Sequence, residues 1–173
     1  MEKGMVFMSK IILVFCDRSV NQGRPHIQFL LACFRLAQIG RASVSPAARF
    51  LVGAPASAFY RSIGLFLFGI DIPVSTRVGT RLSIHHGVGL VVHNQAKIGS
   101  DVTLRQATTI GSKRGRGAPI IADGVDIGPN VCIIGDIVIG RGSVIGAGSV
   151  VVADVSDGCV VAGNPARLLR RPE

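Results

Sequence analysis

The chain has 173 residues, a formal net charge of +9, 22 glycines, no tryptophan and only 5% aromatic residues. With 48% hydrophobic residues it is not a disordered tail, and a core of Ile and Val with regularly spaced Gly suits a repeat protein better than a sandwich or a helical bundle. The positive charge calls for an anionic partner. No aromatic residues interleave with the basic clusters Lys113, Arg114, Arg116 and Arg167, Arg170, Arg171, which argues against base stacking and so against nucleic acid.

The apolar stretch from Gly4 to Cys16 is interrupted by Lys10, is followed by Asp17 and lacks a small-residue cleavage site, so no signal peptide is predicted. The four cysteines, Cys16, Cys33, Cys132 and Cys159, make no Cys-x-x-Cys pair. They are expected to be reduced, buried thiols in a cytoplasmic protein, with no metal site. The spacing predicts a helix over His26–Ile39, with Phe29, Leu30, Phe34 and Ile39 on one side and Gly40 at its end. Ser45 as N-cap and Pro46 in the first turn open a second helix, Ala47 to about Phe68, with a kink expected at Pro55 and a stop at Gly69. Spanning a bilayer would place Arg61 near its middle. The apolar segment 1–70 is therefore expected to lie in a subunit interface or on a membrane surface, at its cytoplasmic face.

From Ile72 onward an aliphatic residue returns every six positions: Ile72, Val78, Ile84 and Leu90, then, after a two-residue slip, Ile98, Leu104 and Ile110. After a longer break the run continues through Ile121, Ile127, Ile133, Ile139, Ile145 and Val151. A small or β-branched residue follows most of these by four positions, as in Val102, Thr108, Val125, Val131, Ile137, Ser143 and Ser149. A period of six fits short strands joined by tight corners, three to a triangular coil of about eighteen residues, with aliphatic side chains stacked inward. Residues 111–120 do not fit the coil and must leave it as a loop carrying Lys113, Arg114 and Arg116.

The segments Ser83–Val92, Ile145–Val151 and Ala162–Arg167 resemble those of the hexapeptide-repeat acyltransferases, and the resemblance covers about Asp71 to Arg170. Within that group the chain is most similar to the colanic acid (exopolysaccharide) O-acetyltransferases and the serine acetyltransferases. The resemblance implies a left-handed parallel β-helix over 71–173, a short helical segment before it, a trimer or a multiple of three, and acetyl-CoA as co-substrate in the groove between neighbours. It also implies roles. His86 aligns with the general base that takes the proton from the acceptor hydroxyl, and Asp71, fifteen residues earlier, with the carboxylate that orients it. Ser112 and Lys113 align with positions touching the pantetheine arm, and Pro129 and Ala147, eighteen residues apart, with the groove wall. Arg167 aligns with a position suited to the nucleotide phosphates.

The departures concern the acceptor. Where serine acetyltransferases carry an Asp before the catalytic His this chain has His85, and where they carry a His before a Pro after the loop it has Ala118-Pro119. A zwitterionic serine needs charged partners at both ends, whereas a sugar hydroxyl asks only for hydrogen bonds, which His85 supplies as an acceptor-binding residue. Acetylation of a sugar or polysaccharide intermediate is therefore the first expectation and serine O-acetylation the alternative. A non-catalytic β-helix scaffold or a zinc hydratase, built on His85, His86 and His93, comes third, because the histidine spacing fits a zinc site poorly.

Overall fold

The computed structural model of the chain describes residues 12–43 and 45–171. The first part of the apolar Gly4–Cys16 stretch lies outside the described residues. The period-six region is a left-handed triangular prism of about five turns. One face consists of β1 (Ile70–Asp71), β4 (Leu90–Val92), β7 (Thr109–Gly111), β10 (Cys132–Ile134) and β13 (Val150–Val151). The second consists of β2 (Arg77–Val78), β5 (Lys97–Ile98), β8 (Ile120–Ile121) and β11 (Val138–Ile139). The third consists of β3 (Ser83–His85), β6 (Thr103–Arg105), β9 (Asp126–Ile127), β12 (Val144–Ile145) and β14 (Val160–Gly163), to which β15 (Ala166–Arg170) adds in antiparallel register. All other ladder pairs are parallel, each strand against the turn above and below.

Two inward layers follow from the repeat. On the third face Ile84, Leu104, Ile127, Ile145 and Val161 stack turn upon turn and are buried, each contributing about 1.5–3 kcal/mol of transfer free energy. The small and β-branched residues Val102, Thr108, Val125, Val131, Ile137, Ser143 and Ser149 are buried as well. Their hydroxyls stay satisfied: Ser143 Oγ donates to the Gly140 carbonyl at 2.7 Å and Thr108 Oγ1 to that of Gly128 at 3.3 Å.

The slip in the repeat is not where the spacing alone puts it. Val92, not Leu90, is in register with Ile110, and Leu90 pairs with Ile70. The irregular step is thus Ile84 to Val92, eight residues, against the six from Leu104 to Ile110. The two extra residues belong to the corner between β3 and β4, which is the corner holding His86.

Helix α1 (Pro25–Arg41) and helix α2 (Pro46–Phe68) precede the prism. Ile27, Leu30, Leu31 and Phe34 are buried and continue the core of the prism upward. Phe29, expected on that side, is 52% exposed, because the buried stripe runs one residue behind it. The Ser45 hydroxyl caps α2 by accepting from Ala48 N. Pro55 neither ends nor splits α2: the turn before it, Arg49–Gly53, is a wider π-turn that makes room for a ring with no N–H to give. Gly69 ends the helix at φ 63°, a left-handed cap that costs glycine little. α1 and α2 cross closely at Gly40 and Gly53, where a Cβ on Gly40 would lie 2.7 Å from Gly53 Cα. The cysteines carry free thiols, but only Cys159 is buried; the other three are half-buried.

The first turn of a parallel coil has no strand above it. Side chains from the helical segment take that place. Asp17 accepts from Leu82 N at 2.8 Å; Asn21 donates to the Leu82 carbonyl at 2.8 Å and accepts from Ile84 N at 3.0 Å. Arg24 donates to the Ile84 carbonyl, Arg35 to those of Val78 and Gly79, Gln38 to that of Thr76 and Tyr60 to that of Ile72. Arg35 also holds Asp17 through two bonds, Nε to Oδ2 at 2.8 Å and Nη2 to Oδ1 at 3.1 Å, and both side chains are almost wholly buried. Among the described residues no buried side-chain polar atom is left without a partner.

Asn21→Leu removes the partner of two carbonyls, those of Asp17 and Leu82, and of the Ile84 amide. At roughly 1–3 kcal/mol for each group left unpaired, the variant should lose at least about 3 kcal/mol, read as a lower urea midpoint with an unchanged slope. A wild-type midpoint would show that Asn21 is not part of the cap.

Candidate active site

His86 stands at the corner between β3 and β4 in a left-handed conformation, φ 50°, and is exposed. Histidine tolerates this region better than most residues, but it remains an uncommon backbone state. The adjoining Gly87 explains the choice. A Cβ on Gly87 would run into the Ile70 and Ile84 side chains, so the inserted pair tucks its glycine over the core and turns its histidine outward. The same edge continues downward. Ala107 N donates to the Val88 carbonyl at 2.9 Å, Asn130 N to that of Gln106 at 3.0 Å and Gly148 N to that of Pro129 at 2.9 Å. Pro129 and Ala147 therefore lie on the His86 edge, and at about 4.8 Å per turn they are about 10 and about 14 Å below it.

Asp71 lies on the outer side of β1, half-buried and in register with Val91. Its neighbour Ile70 packs under Gly87, so strand and corner adjoin. Asp71 nevertheless makes no ion pair with His86 among the described residues. It lines a cleft beside α2, where burial first and the Asp71 charge second push the Tyr60 phenol up.

His85 is half-buried and opposite Arg105 in the β3–β6 register. Burial holds it below the usual imidazole range, reinforced by the positive charges of Arg24 and Arg105 and by His86, with Asp126 pulling the other way. A neutral ring both donates and accepts hydrogen bonds. Arg24 is fixed by the Ile84 and Val20 carbonyls, and Arg105 by Asp126 and the Ile127 carbonyl at 2.9 Å. The period-six reading did not find Arg105, Asp126 or Arg24. Arg105 follows His85 by twenty residues, one coil plus the two-residue insertion, so it becomes legible once the slip is assigned to the His86 corner.

Ser112 and Lys113 lie on the opposite edge of the first face, where residues 112–119 leave the coil; Gly111 and Ile120, expected in the loop, are strand residues paired with Ile134 and Val138. The loop turns tightly, with Lys113 and Arg116 bridged and Arg116 N donating to the Lys113 carbonyl at 3.0 Å. Gly117, at φ 61°, closes against Asp136 so tightly that a Cβ would enter its side chain. Below the loop lies a groove of about 510 Å³ lined by Lys113, Arg114, Arg116, Asp136, Ile134 and Val152. Val152 also borders a second cavity of about 510 Å³ under the last turn, which carries Arg167 and Arg171. Arg167 is exposed and bonded only to the carbonyl of Ala166, at 3.2 Å. Arg167 is paired with Ala162, which stacks beneath Gly146 next to Ala147, so it lies at the foot of the edge that His86, Pro129 and Ala147 share, while the basic loop stands on the other edge of the first face. His93 is a turn residue, its Nδ1 accepting from Gln95 N at 3.2 Å. Among the described residues no three His, Cys, Asp or Glu side chains gather as a metal-ligand set.

No protein-family model matches the chain. It is similar to the putative colanic acid biosynthesis acetyltransferase WcaB of Escherichia coli strain K12, 40% identical over 123 residues, 68% of this chain and 74% of that protein. It is also similar to serine acetyltransferase 2 of Arabidopsis thaliana, 41% identical over 107 residues, 60% of this chain; the chain spans a third of that relative. Among solved structures, serine acetyltransferase of Brucella abortus strain S19 in complex with coenzyme A superposes with a TM-score of 0.73 at 27% identity, over 92% of this chain and 67% of that one.

Arg105→Gln removes one of the cations that oppose protonation of His85 and frees Asp126 beside it. The His85 pKa should rise toward the ordinary imidazole range, followed by NMR titration of the ring proton. A pKa that stays put would mean that burial alone sets it.

Proposed function

The chain belongs to the hexapeptide-repeat acyltransferases and transfers acetyl groups, and from that premise we propose that it acetylates a hydroxyl of a sugar or polysaccharide intermediate, with His86 as general base. The observation that carries the reading is the inserted corner, which spends two residues and a left-handed backbone to present one imidazole at the head of an open edge.

Acetyl-CoA is the co-substrate. Its acidic nucleotide end suits the basic loop of Lys113, Arg114 and Arg116, with Ser112 at the loop base beside the pantetheine arm and Arg167 at the foot of the His86 edge. The loop and the His86 edge flank opposite sides of the first face, so a single chain does not bring thioester and base together. A threefold assembly would set the loop of one subunit against the His86, Pro129 and Ala147 edge of the next. In the reaction the acceptor hydroxyl lies against the imidazole of His86, which takes its proton as the oxygen attacks the thioester carbonyl; the C–S bond then breaks, the imidazolium returns the proton to sulfur, and CoA leaves as the thiol. Asp71, on the strand whose Ile70 packs under the His86 corner, is the carboxylate we assign to the other ring nitrogen, where it would stabilise the imidazolium.

The acceptor follows from charge. Around His85 stand Arg24 and Arg105 against one carboxylate, Asp126, a poor setting for the ammonium of serine and a good one for neutral or acidic saccharides. Contact with the cytoplasmic face of a membrane belongs to the same proposal. Helix α2 exposes Phe50, Leu51, Phe66 and Leu67, its charged residues are Arg49 and Arg61, and no acidic residue occurs between Arg18 and Ile70, the pattern of a helix lying on an anionic interface.

His86→Ala should lower kcat by about 10²–10⁴-fold, with CoA affinity little changed, and Asp71→Asn should cost less. In a CoA-release assay saccharides should outpace L-serine. Normal turnover by His86→Ala would end the assignment of the base, and kcat/KM for L-serine at or above ~10⁴ M⁻¹s⁻¹ would restore the serine alternative. Light scattering should report a trimer or a multiple of three, and vesicles containing phosphatidylglycerol should retain the wild type better than Phe50→Glu/Phe66→Glu. A fully active monomer would overturn the assembly, and equal retention would overturn the membrane contact.

A further inference from the structure

The cleft beside α2 has a charge arrangement that the acetyl-transfer chemistry does not use. It has a volume of about 200 Å³ and lies between α2 and the first turn of the prism, lined by Arg41, Ser57, Tyr60, Arg61 and Asp71 together with residues 72–75. The close crossing of α1 and α2 at Gly40 and Gly53 brings Arg41, the last residue of α1, against α2. Ser57 and Arg61 are four residues apart and share a helix face.

The two guanidinium groups stand apart from the other arginines nearby. Arg24 and Arg35 spend their donors on backbone carbonyls or Asp17, and Arg81 and Arg105 are paired with Asp101 and Asp126. Among the described residues, neither Arg41 nor Arg61 makes a side-chain hydrogen bond, and neither lies within ion-pair distance of a carboxylate, although Asp71 borders the same cleft. The hydroxyls of Ser57 and Tyr60 already donate, to the carbonyls of Gly53 at 2.6 Å and Ile72 at 3.0 Å. The free donors of the cleft are therefore the two guanidinium forks, and its charges are two positive and one negative.

We propose that this cleft binds the diphosphate group of an acceptor whose sugar reaches His86. A planar fork matches phosphate oxygens two at a time, and two forks suit an anion with two phosphoryl groups better than a single carboxylate. At about 200 Å³ the cleft is smaller than the roughly 300–1,000 Å³ of pockets for whole drug-sized ligands, so it takes the anionic link and leaves the sugar outside. Strand β1 joins the two places: Asp71 borders the cleft, and Ile70 packs under the corner that holds His86. The exposed apolar side of α2 lies on the same helix as Arg61, which accommodates a lipid-linked diphosphate as well as a nucleotide-linked one. This inference rests on the saccharide reading and names the carrier of the sugar.

The test is calorimetric titration with inorganic pyrophosphate on the full chain saturated with CoA, so that the CoA phosphate contacts are already filled. Wild type should bind, Arg41→Gln/Arg61→Gln should bind at least tenfold more weakly, and Arg141→Gln, which removes a charge at another corner, should match wild type. Arg41→Lys/Arg61→Lys keeps charge and fold without the forks and should fall between. In steady state the Gln pair should raise KM for a nucleoside-diphosphate sugar and leave KM for the free sugar unchanged. A polyprenyl diphosphate in phosphatidylcholine vesicles, set against a soluble nucleoside diphosphate, separates the two sources. Pyrophosphate binding that is equal in wild type and the Gln pair, or is lost equally in Arg141→Gln, overturns the cleft. Binding that depends on Arg41 and Arg61 supports the cleft even if no saccharide is acetylated, an outcome that would sink the acceptor reading alone.

Discussion

A parallel coil pairs each strand with the turn above and the turn below, so its first turn must find partners that are not strands. Here a set of side chains supplies them, and the rest of the molecule depends on that closure. Asn21 donates and accepts across β3 as a backbone would, and Asp17 and Arg35, buried against one another, reach Leu82 N and the Val78 and Gly79 carbonyls. A buried ion pair is a poor source of stability by itself. Its value lies in fixing where the helices sit, because only one placement satisfies both charges and the backbone groups beneath them. The same cap fixes β3, which leads into the His86 corner, and the chain just after β1, whose Ile70 packs under that corner.

The corner shows how a rigid repeat accommodates a reactive group. The regular turns below close this edge through Gln106–Ala107 and Pro129–Asn130; the first turn closes it with two more residues, Gly87 pressed onto Ile70 and His86 in the left-handed region. On the other edge of the same face eleven residues separate Ile110 from Ile121 instead of six, and the excess becomes the basic loop. The two departures from the repeat lie on opposite borders of one sheet, and under the proposed function they separate the base from the loop that would hold acetyl-CoA, so that activity would belong to neighbouring subunits.

The electrostatics of the acceptor side follow from what the cap and the ladder require. Arg24 is present because it closes β3, and Arg105 because the ladder sets it opposite His85 with Asp126 below. Together with burial they hold the His85 imidazole below its usual range. Arg41 and Arg61 extend the same sign around the top of the prism. Under the proposed function, this excess of positive charge would disfavour the ammonium of a serine acceptor.

The prism was legible in the sequence because it is a local rule repeated: one aliphatic residue every six, and a small or β-branched one four later, specify inward positions turn by turn without reference to distant parts of the chain. The loop was legible as an interruption of that rule, and His86, Asp71, Pro129, Ala147, Ser112, Lys113 and Arg167 as positions within family motifs. What the repeat could not settle was anything decided between elements far apart in the chain. Leu90 and Val92 are both buried, so only the register with Ile70 and Ile110 assigns the insertion to the His86 corner. Phe29 faces solvent because the buried stripe of α1 is set by the cap beneath it, not by its own periodicity. Asn21 and Arg35 look like ordinary polar residues near and within a helix, and their partners lie 63 and 44 residues away. Backbone hydrogen bonds at the end of a coil are a tertiary demand, and only the folded chain decides which side chains meet it.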